Sequence, residues 1–519
     1  MKKIFLSLIA VTTLFSCENY LDQPNKDFSN NPLIDKINPA QRLATAQLNL
    51  LNTEVISMNS YGNKMSYTYG LNSGFTSSDV AYNFNFTSGS YDFLWEDTFL
   101  YTDNMQDIID DEVKYPNYTN YFAIAKIMKV QGMEKIINLY GDAPYSQAFN
   151  TAISQPAYDD DKAIYKNLLL LLDDARTQIS NATSDAVTPH GEDIVFNGDM
   201  NKWIKYANTI ELRMLLKLSN TTDATLIALR NARFAALDLN FIDSDVTYNP
   251  GFTGATSAQS NPMFRVYGTN VAQTAWTSSN RANAAGDFIA KVLNGTMSST
   301  DLVTTGVVDP RRSRMFSLVG GVVSGAVQGT ETSVAKSRLH NFIHGYWGAA
   351  TSDLYANGTR RNAYAMLAAE SYFLQAEAVQ RGYISGNAQT LFNQGITASF
   401  TFYSTGFGDF TLSALNAASY IATTNSKQGL GWSGSTDKIN AIMTQKWLAL
   451  SQWTGIEPYF DHLRTGYPKF PVPQGVSQTK RPNRLIYPTS EYSSNSTNVP
   501  TVLQSDLFTV NSKTPFYLQ

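Results

Sequence analysis

The sequence predicts a mainly α-helical protein: a scaffold of helix pairs, with a loop-rich irregular part that carries few short strands. Three observations lead there. Apolar residues recur at steps of three and four in long segments, as in Tyr121–Tyr140, where Phe122, Ala125, Met128, Gly132, Ile136 and Leu139 fall roughly on one stripe. Alternating, strand-like runs are scarce. The helical pattern is interrupted by long stretches at 61–91, 249–281 and 340–359 in which Gly, Ser, Thr and Asn surround aromatic side chains. Connections longer than ~15 residues in a compact domain are usually functional or disordered, and these are too aromatic to be disordered.

The chain opens with Lys2 and Lys3, then an apolar run from Ile4 to Leu14. That run is too short to span ~30 Å of hydrocarbon, so it has the form of a signal peptide. It ends in Leu14-Phe15-Ser16-Cys17, which resembles a bacterial lipobox. Cys17 is the single cysteine among 519 residues. It has no partner for an intramolecular disulfide and is expected to be the lipid-bearing atom. Residues 1–16 are thus expected to be a leader and 17–38 a tether. Residues 39–519 are expected to form one domain. Removing the leader takes the net charge from −4 to −6 by loss of the two lysines, and no basic run follows, which argues against nucleic acid as a partner. Charged residues make up 16 % of the chain, against a usual ~25 %. Much of the surface must then be Asn, Ser, Thr, Gln and Tyr, a composition suited to neutral polar ligands.

The first helix is expected from Ala40 to Met58. Tyr82, Phe84 and Phe86 alternate, as in a short strand or extended loop. Helical spacing resumes over Phe93–Val113 and again to Tyr140, where Gly141 and Pro144 end it. Asp159, Asp160 and Asp161 precede a helix over Ala163–Ile179 and are read as cap and dipole complement rather than calcium ligands, since no EF-hand spacing is present. Asn201–Leu218 carries Trp203, Tyr206, Ile210 and Met214 on one face. A helix is expected at Asp287–Leu293 and a small Val/Gly hairpin at Gly320–Thr332. Ala363–Gln380 and Leu391–Tyr403, joined by a short turn, resemble a tetratricopeptide-type unit of about 40 residues. Asp437–Trp453 is the last long helix.

Several strings, taken in order, resemble one family. Leu139-Tyr140-Gly141-Asp142-Ala143-Pro144-Tyr145-Ser146, Asp309-Pro310-Arg311, the helix from Glu370 to Gly382, and Gln445–Leu450 are the first four. Pro458-Tyr459-Phe460-Asp461, Arg464–Pro468, Arg484–Pro488 and Glu491-Tyr492 complete the set. Together with Cys17 these are similar to motifs of the SusD/RagB-like outer-membrane nutrient-binding lipoproteins of Bacteroidetes. His462 and Leu463 depart from that pattern, standing where the family often has Trp and Arg. The resemblance implies a tetratricopeptide-like scaffold overlaid by irregular loops. It also implies a non-catalytic role: capture of glycans at the cell surface and delivery to a partner TonB-dependent (SusC-like) outer-membrane transporter. Some members of the family import peptides, so a peptide ligand is the alternative of the same fold.

The side chains favour binding over catalysis. Two of the four histidines, His340 and His344, are spaced i,i+4 but lack the Glu of HExxH. No GxSxG elbow or P-loop occurs. A surface-anchored glycoside hydrolase would need two carboxylates ~5–9.5 Å apart. Glu457 with Asp461 and Glu370 with Glu377 share helix faces, but both pairs are better explained by helix-end and inter-helix bonding. No metal site and no cofactor is predicted; a structural calcium ion has no motif behind it. A sugar ring offers an apolar C–H face that Trp and Tyr can cover and a rim of hydroxyls for polar side chains. The loops supply both, and the expected ligand-binding residues are Trp276, Tyr82, Phe84, Tyr267, Tyr346, Trp347, Asn83 and Arg281. Trp276, in the polar stretch Ala272–Asn280, is the foremost. Trp432 is a further loop candidate. Trp95, Trp203, Trp447 and Trp453 lie in helical patterns and are expected in the core.

Overall fold

A computed structural model of the chain describes residues 37–76, 78–339, 351–405 and 413–519, with the side chains of 351–354 excepted. The leader, the tether and Cys17 lie outside the described residues, as do His340, His344, Tyr346 and Trp347. The fold is mainly α, as predicted, with two- to four-residue strands only.

Helix α1, Pro39–Asn52, starts where Asn38 and Gln41 bond each other's backbone N–H, each at 3.1 Å, which satisfies two of the donors a helix start leaves open. It runs on through a π-helical turn, Thr53–Met58, into a short helix, Asn59–Met65. The scaffold continues with α2 (Phe93–Ile109), α3 (Thr119–Tyr140), α4 (Asp161–Ser180) and α5 (Met200–Lys217). It is completed by α6 (Ala368–Gln380), α7 (Ala388–Ser404), α8 (Lys438–Leu450) and α9 (Ile456–Thr465). Consecutive partners pack as pairs: α2 on α3, α3 on α4, and α6 on α7, with α8 against α6 and α9 against the helix Asn59–Met65. The expected 363–403 unit is therefore present, but its first residues, Ala363–Met366, are a strand paired antiparallel with Val246–Tyr248. Periodicity alone did not separate that strand from the helix that follows it.

Burial exceeds what a single apolar stripe implies. Every residue of α3 after Thr119 is buried, including Lys126, Lys129, Glu134 and Lys135, because α1, α2, α4 and α5 all pack against it. One hydrophobic core collects side chains from Leu43 to Tyr517. A smaller cluster, with Phe373, Phe392, Ile396 and Phe400, lies between α6, α7 and α8. Trp95, Trp203, Trp447 and Trp453 are at most 3 % exposed, as expected of core residues. Trp432 is half-buried and packs on Phe392, 5.4 Å between ring centroids.

Several local expectations are corrected. Tyr82 lies in a one-turn helix, Val80–Asn83, and Phe84 follows in the left-handed region at φ +57°. Asp79 caps that turn and stabilises it over a strand. The Gly320–Thr332 hairpin shrinks to a tight turn, Val319 bridging Val322 across Gly320 and Gly321, both at positive φ. The end of the 340–359 stretch is helical rather than irregular, within the helix Thr351–Arg360. Of the aspartate run, Asp160 behaves as predicted, accepting the N–H of Ala163 at 3.0 Å and capping α4, whereas Asp159 accepts the N–H groups of Tyr145 and Ser146 and Asp161 that of Phe516.

Candidate functional site

The residues around Trp276 are held by a chain of local hydrogen bonds. Asn261 caps the short helix Pro262–Tyr267 through the N–H groups of Met263 and Phe264. The chain then turns in a hairpin. Thr277 N–H donates to the Gly268 carbonyl at 3.0 Å, Asn270 N–H to the Ala275 carbonyl at 2.9 Å, and Thr269 bridges Trp276. The Asn270 carboxamide closes the tip, accepting from Thr274 N–H and donating to the Thr274 hydroxyl, both at 2.9 Å. Thr277 caps the next helix, Ser278–Ala282, and its hydroxyl also donates to the Val266 carbonyl at 2.6 Å. Trp276 thus stands at the foot of a rigid hairpin. It is half-buried, packed on the main core, with the Arg338 guanidinium 5.6 Å from its ring centroid. Arg338 is itself held by Asn280 Oδ1 at 3.2 Å. At this distance a guanidinium is attracted by the ring quadrupole. The hairpin tip, Asn270–Ala275, is exposed, as is Arg281 on the following helix.

Three of the other predicted contacts present no ring face at this surface. Tyr82, Phe84 and Tyr267 are 2 %, 0 % and 1 % exposed. Phe84 packs between Phe86 and Phe508, and Tyr267 on Tyr69 at 6.1 Å. These three are core side chains and present no face to a ligand. Nearby Asn and Asp residues made their segments look like polar loops, but those groups serve as caps and turn closers. Asn83 is half-buried, and its side-chain oxygen accepts the Asn85 N–H at 2.9 Å. Arg338 was missed because it lies 62 positions from Trp276 and no short-range pattern joins them.

The carboxylate pairs considered for hydrolysis are structural. Arg213 of α5 meets Glu134 of α3 at 2.8 Å, Glu370 of α6 at 3.5 Å and Glu457 of α9 at 3.7 Å. Lys217 reaches Glu457 at 3.1 Å, and Lys135 pairs with both Glu134 and Glu457. A second knot joins Asp461 to Lys446 at 2.9 Å and to Arg464 at 2.8 Å, and Arg464 to Glu377 at 2.9 Å. All ten are at most 6 % exposed. Burial opposes ionisation of Glu457, but Lys135, Lys217 and Arg213 together hold its carboxyl well below the usual range. Acids so paired and so enclosed have no open face for a glycosidic bond or its water. Among the described residues one carboxylate group has metal-like spacing: Asp142, Asp160 and Asp161, with ligand atoms within 4.8 Å. Each has a backbone partner, the N–H of Asp161, Ala163 and Phe516 respectively, so the trio knits α4 to the chain end.

The fold and the loop surface define a helical-scaffold binding protein. The chain belongs to the SusD-like family described as "Starch-binding associating with outer membrane" (SusD-like_2), which matches residues 30–488. No curated protein sequence matches the chain. Among solved structures it is similar to a chitin-binding protein at 23 % identity and TM-score 0.66, over 89 % of this chain and 95 % of that one. It is similar to a chitin-binding SusD homologue from Flavobacterium johnsoniae at 21 % identity and TM-score 0.64, over 88 % and 94 %. A SusD homologue from Bacteroides fragilis matches at 21 % identity and TM-score 0.68, over 92 % and 98 %. The family description associates its members with the outer membrane. Among the described residues no helix is long and apolar enough to cross a membrane.

Proposed function

We propose that this chain is a non-catalytic, cell-surface glycan-binding lipoprotein. It is held at the outer membrane by acyl groups on Cys17 and hands oligosaccharide or polysaccharide to a TonB-dependent, SusC-like transporter. The observation that carries the binding role is Trp276. It is a half-buried indole braced by Arg338 at the foot of a rigid hairpin whose tip exposes Gln273 and Thr274. A ring fixed before binding pays little ordering cost when a sugar face covers it. Arg281, exposed on the next helix, and Asn83 are the polar residues assigned to the rim; Tyr346 and Trp347, outside the described residues, remain candidates from the sequence alone. Two similar structures are named for chitin binding, so chitin oligosaccharides are the first ligands to test.

The test uses the chain from residue 18 onward, which contains every described element. Its migration is followed in gels containing glycol-chitin, starch or mannan. The expected result is retardation by one glycan. Trp276→Ala should weaken that retardation about 2- to 10-fold, the equivalent of ~0.5–1.5 kcal/mol for one ring, while leaving the unfolding midpoint nearly unchanged. Unaltered retardation of the variant would remove Trp276 from the site, and retardation by none of the glycans would overturn the reading itself.

A further inference from the structure

The Leu139–Ser146 and Glu491-Tyr492 strings meet at a cavity that the Trp276 surface does not use. Pro144 pairs antiparallel with Tyr158. The Tyr158 hydroxyl donates to Glu491 Oε2 at 2.7 Å, and Asn495 Nδ2 ties that oxygen, at 3.3 Å, to the Pro156 carbonyl, at 2.9 Å. The first turns of α2 form the other side, where Asp92 caps Phe93 and Trp95 packs on Phe99 with 4.6 Å between ring centroids. The cavity these segments line has a volume of about 340 Å³, within the range of small-molecule pockets.

Its walls are of two kinds. Phe99, Ala148 and Pro156 are apolar and only half-buried, so part of their surface is open, and Pro144 lies with them. The polar lining is Glu96, Ser490 and Glu491, with no Lys, Arg or His among the described residues. Glu96 is exposed and has no hydrogen-bond or ion-pair partner among the described residues. Glu491 is half-buried. Its Oε2 is taken by Tyr158 and Asn495, while its Oε1 has no donor and stays open to solvent. Neither acid has a counter-ion, and their neighbours feel it. Burial and then the charge of Glu96 raise the Asp97 carboxyl, and burial and then Glu491 raise the Tyr158 phenol. Cations of adjoining segments are spent elsewhere. Lys129 lies over the Phe149 ring at 4.5 Å and bonds Gln106, and Arg484 lies over the Tyr487 ring at 4.9 Å and bonds the Leu485 carbonyl. The cavity therefore differs from the clamp around Arg213, where each acid meets a cation.

We infer that this cavity binds an alkyl ammonium, the chemistry of a lysine side chain, at a place separate from the Trp276 surface. The ammonium donates to Glu491 Oε1 and faces the Glu96 carboxylate, supplying the charge that neither acid finds within the protein. The aliphatic stem lies on Pro144 and Pro156, and the Phe99 ring attracts the cation through its quadrupole. A neutral alcohol of the same length offers no charge to the two acids. The bare ammonium ion leaves the apolar wall uncovered. An amino sugar carries the charge but brings hydroxyls that proline and phenylalanine cannot pair. Selectivity should therefore need both halves of the ligand.

Calorimetric titration of the chain from residue 18 onward with n-butylammonium, n-butanol, ammonium chloride and glucosamine, at pH 7 and low salt, tests this. n-Butylammonium should bind about 10-fold more tightly than any of the others. Glu96→Gln, a change at an exposed position, should weaken its binding about 5-fold with a nearly unaltered unfolding midpoint. Trp276→Ala should leave n-butylammonium binding as it is, which separates this site from the glycan surface. Absence of n-butylammonium binding, equal affinity for butanol, ammonium or glucosamine, insensitivity to Glu96→Gln, or loss of binding in Trp276→Ala would each overturn the inference.

Discussion

Asp161 shows how much one residue's environment decides. It is the first residue of α4, a place where a carboxylate is ordinarily stabilised. Here it is 4 % exposed and adjoins Asp142 and Asp160, and burial pushes its pKa up from 3.8 to about 7. An acid whose folded value is raised loses stability as pH rises from its unfolded value through its folded one. Asp161→Asn keeps an oxygen to accept the Phe516 N–H and carries no charge. The variant should equal the parent near pH 4 and exceed it by about 2 kcal/mol at pH 8, as measured by urea unfolding at the two pH values. A gain of equal size at both would show that charge is not the cause. Asp160 as a cap was legible from its position before an apolar-periodic run. The burial of Asp161 was not, since the group that covers it, Phe516, is 355 residues away.

At the scale of elements, helix ends were legible and helix contacts were not. Gly141 and Asp437 stand at helix ends as expected, because capping is local chemistry. Gly62 gave no signal of its importance. It lies within the helix Asn59–Met65, where the start of α9 crosses so closely that a Cβ would sit 2.2 Å from the Ile456 nitrogen. The obstacle is backbone and cannot swing aside. Gly62→Ala, normally favourable in a helix, should instead cost about 1–3 kcal/mol, read as a lowered denaturation midpoint. Gly382→Ala has nothing within 4 Å but sits at φ +74°, so it separates strain from crowding.

Across the whole molecule, α3, α5, α6, α8 and α9 are tied by five buried carboxylates and five buried cations. Glu134, Glu377, Glu457 and Asp461 all ionise below their ordinary values despite burial, held down by their cationic partners. Such groups add stability that is complete above the unfolded carboxylate range and is lost as pH falls through it. Stability should therefore drop steeply below about pH 4.5, by up to ~1.4 kcal/mol per pH unit for each carboxylate involved. Glu457→Gln strands Lys217, leaves Lys135 with Glu134 alone, and should cost about 3–5 kcal/mol at pH 7 while flattening the acid limb. Unfolding profiles of parent and variant from pH 3 to 8 would check both. The same network explains why the paired acids of α6 and α9 could suggest a hydrolase on spacing alone: identical spacing serves an active site or a clamp, and the partners that distinguish them come from other helices.

What the sequence by itself determined was the mainly helical class, most helix boundaries, the core placement of Trp95, Trp203, Trp447 and Trp453, and the family. These depend on periodicity, caps and ordered motifs, all written within a few turns of chain. Only the tertiary structure decided which loop aromatics stay at the surface. Trp276 remains half-exposed, whereas Tyr82, Phe84 and Tyr267 sink into the core. Exposure is set by whatever packs on a side chain, and here that comes from segments hundreds of residues away, as Phe508 does for Phe84.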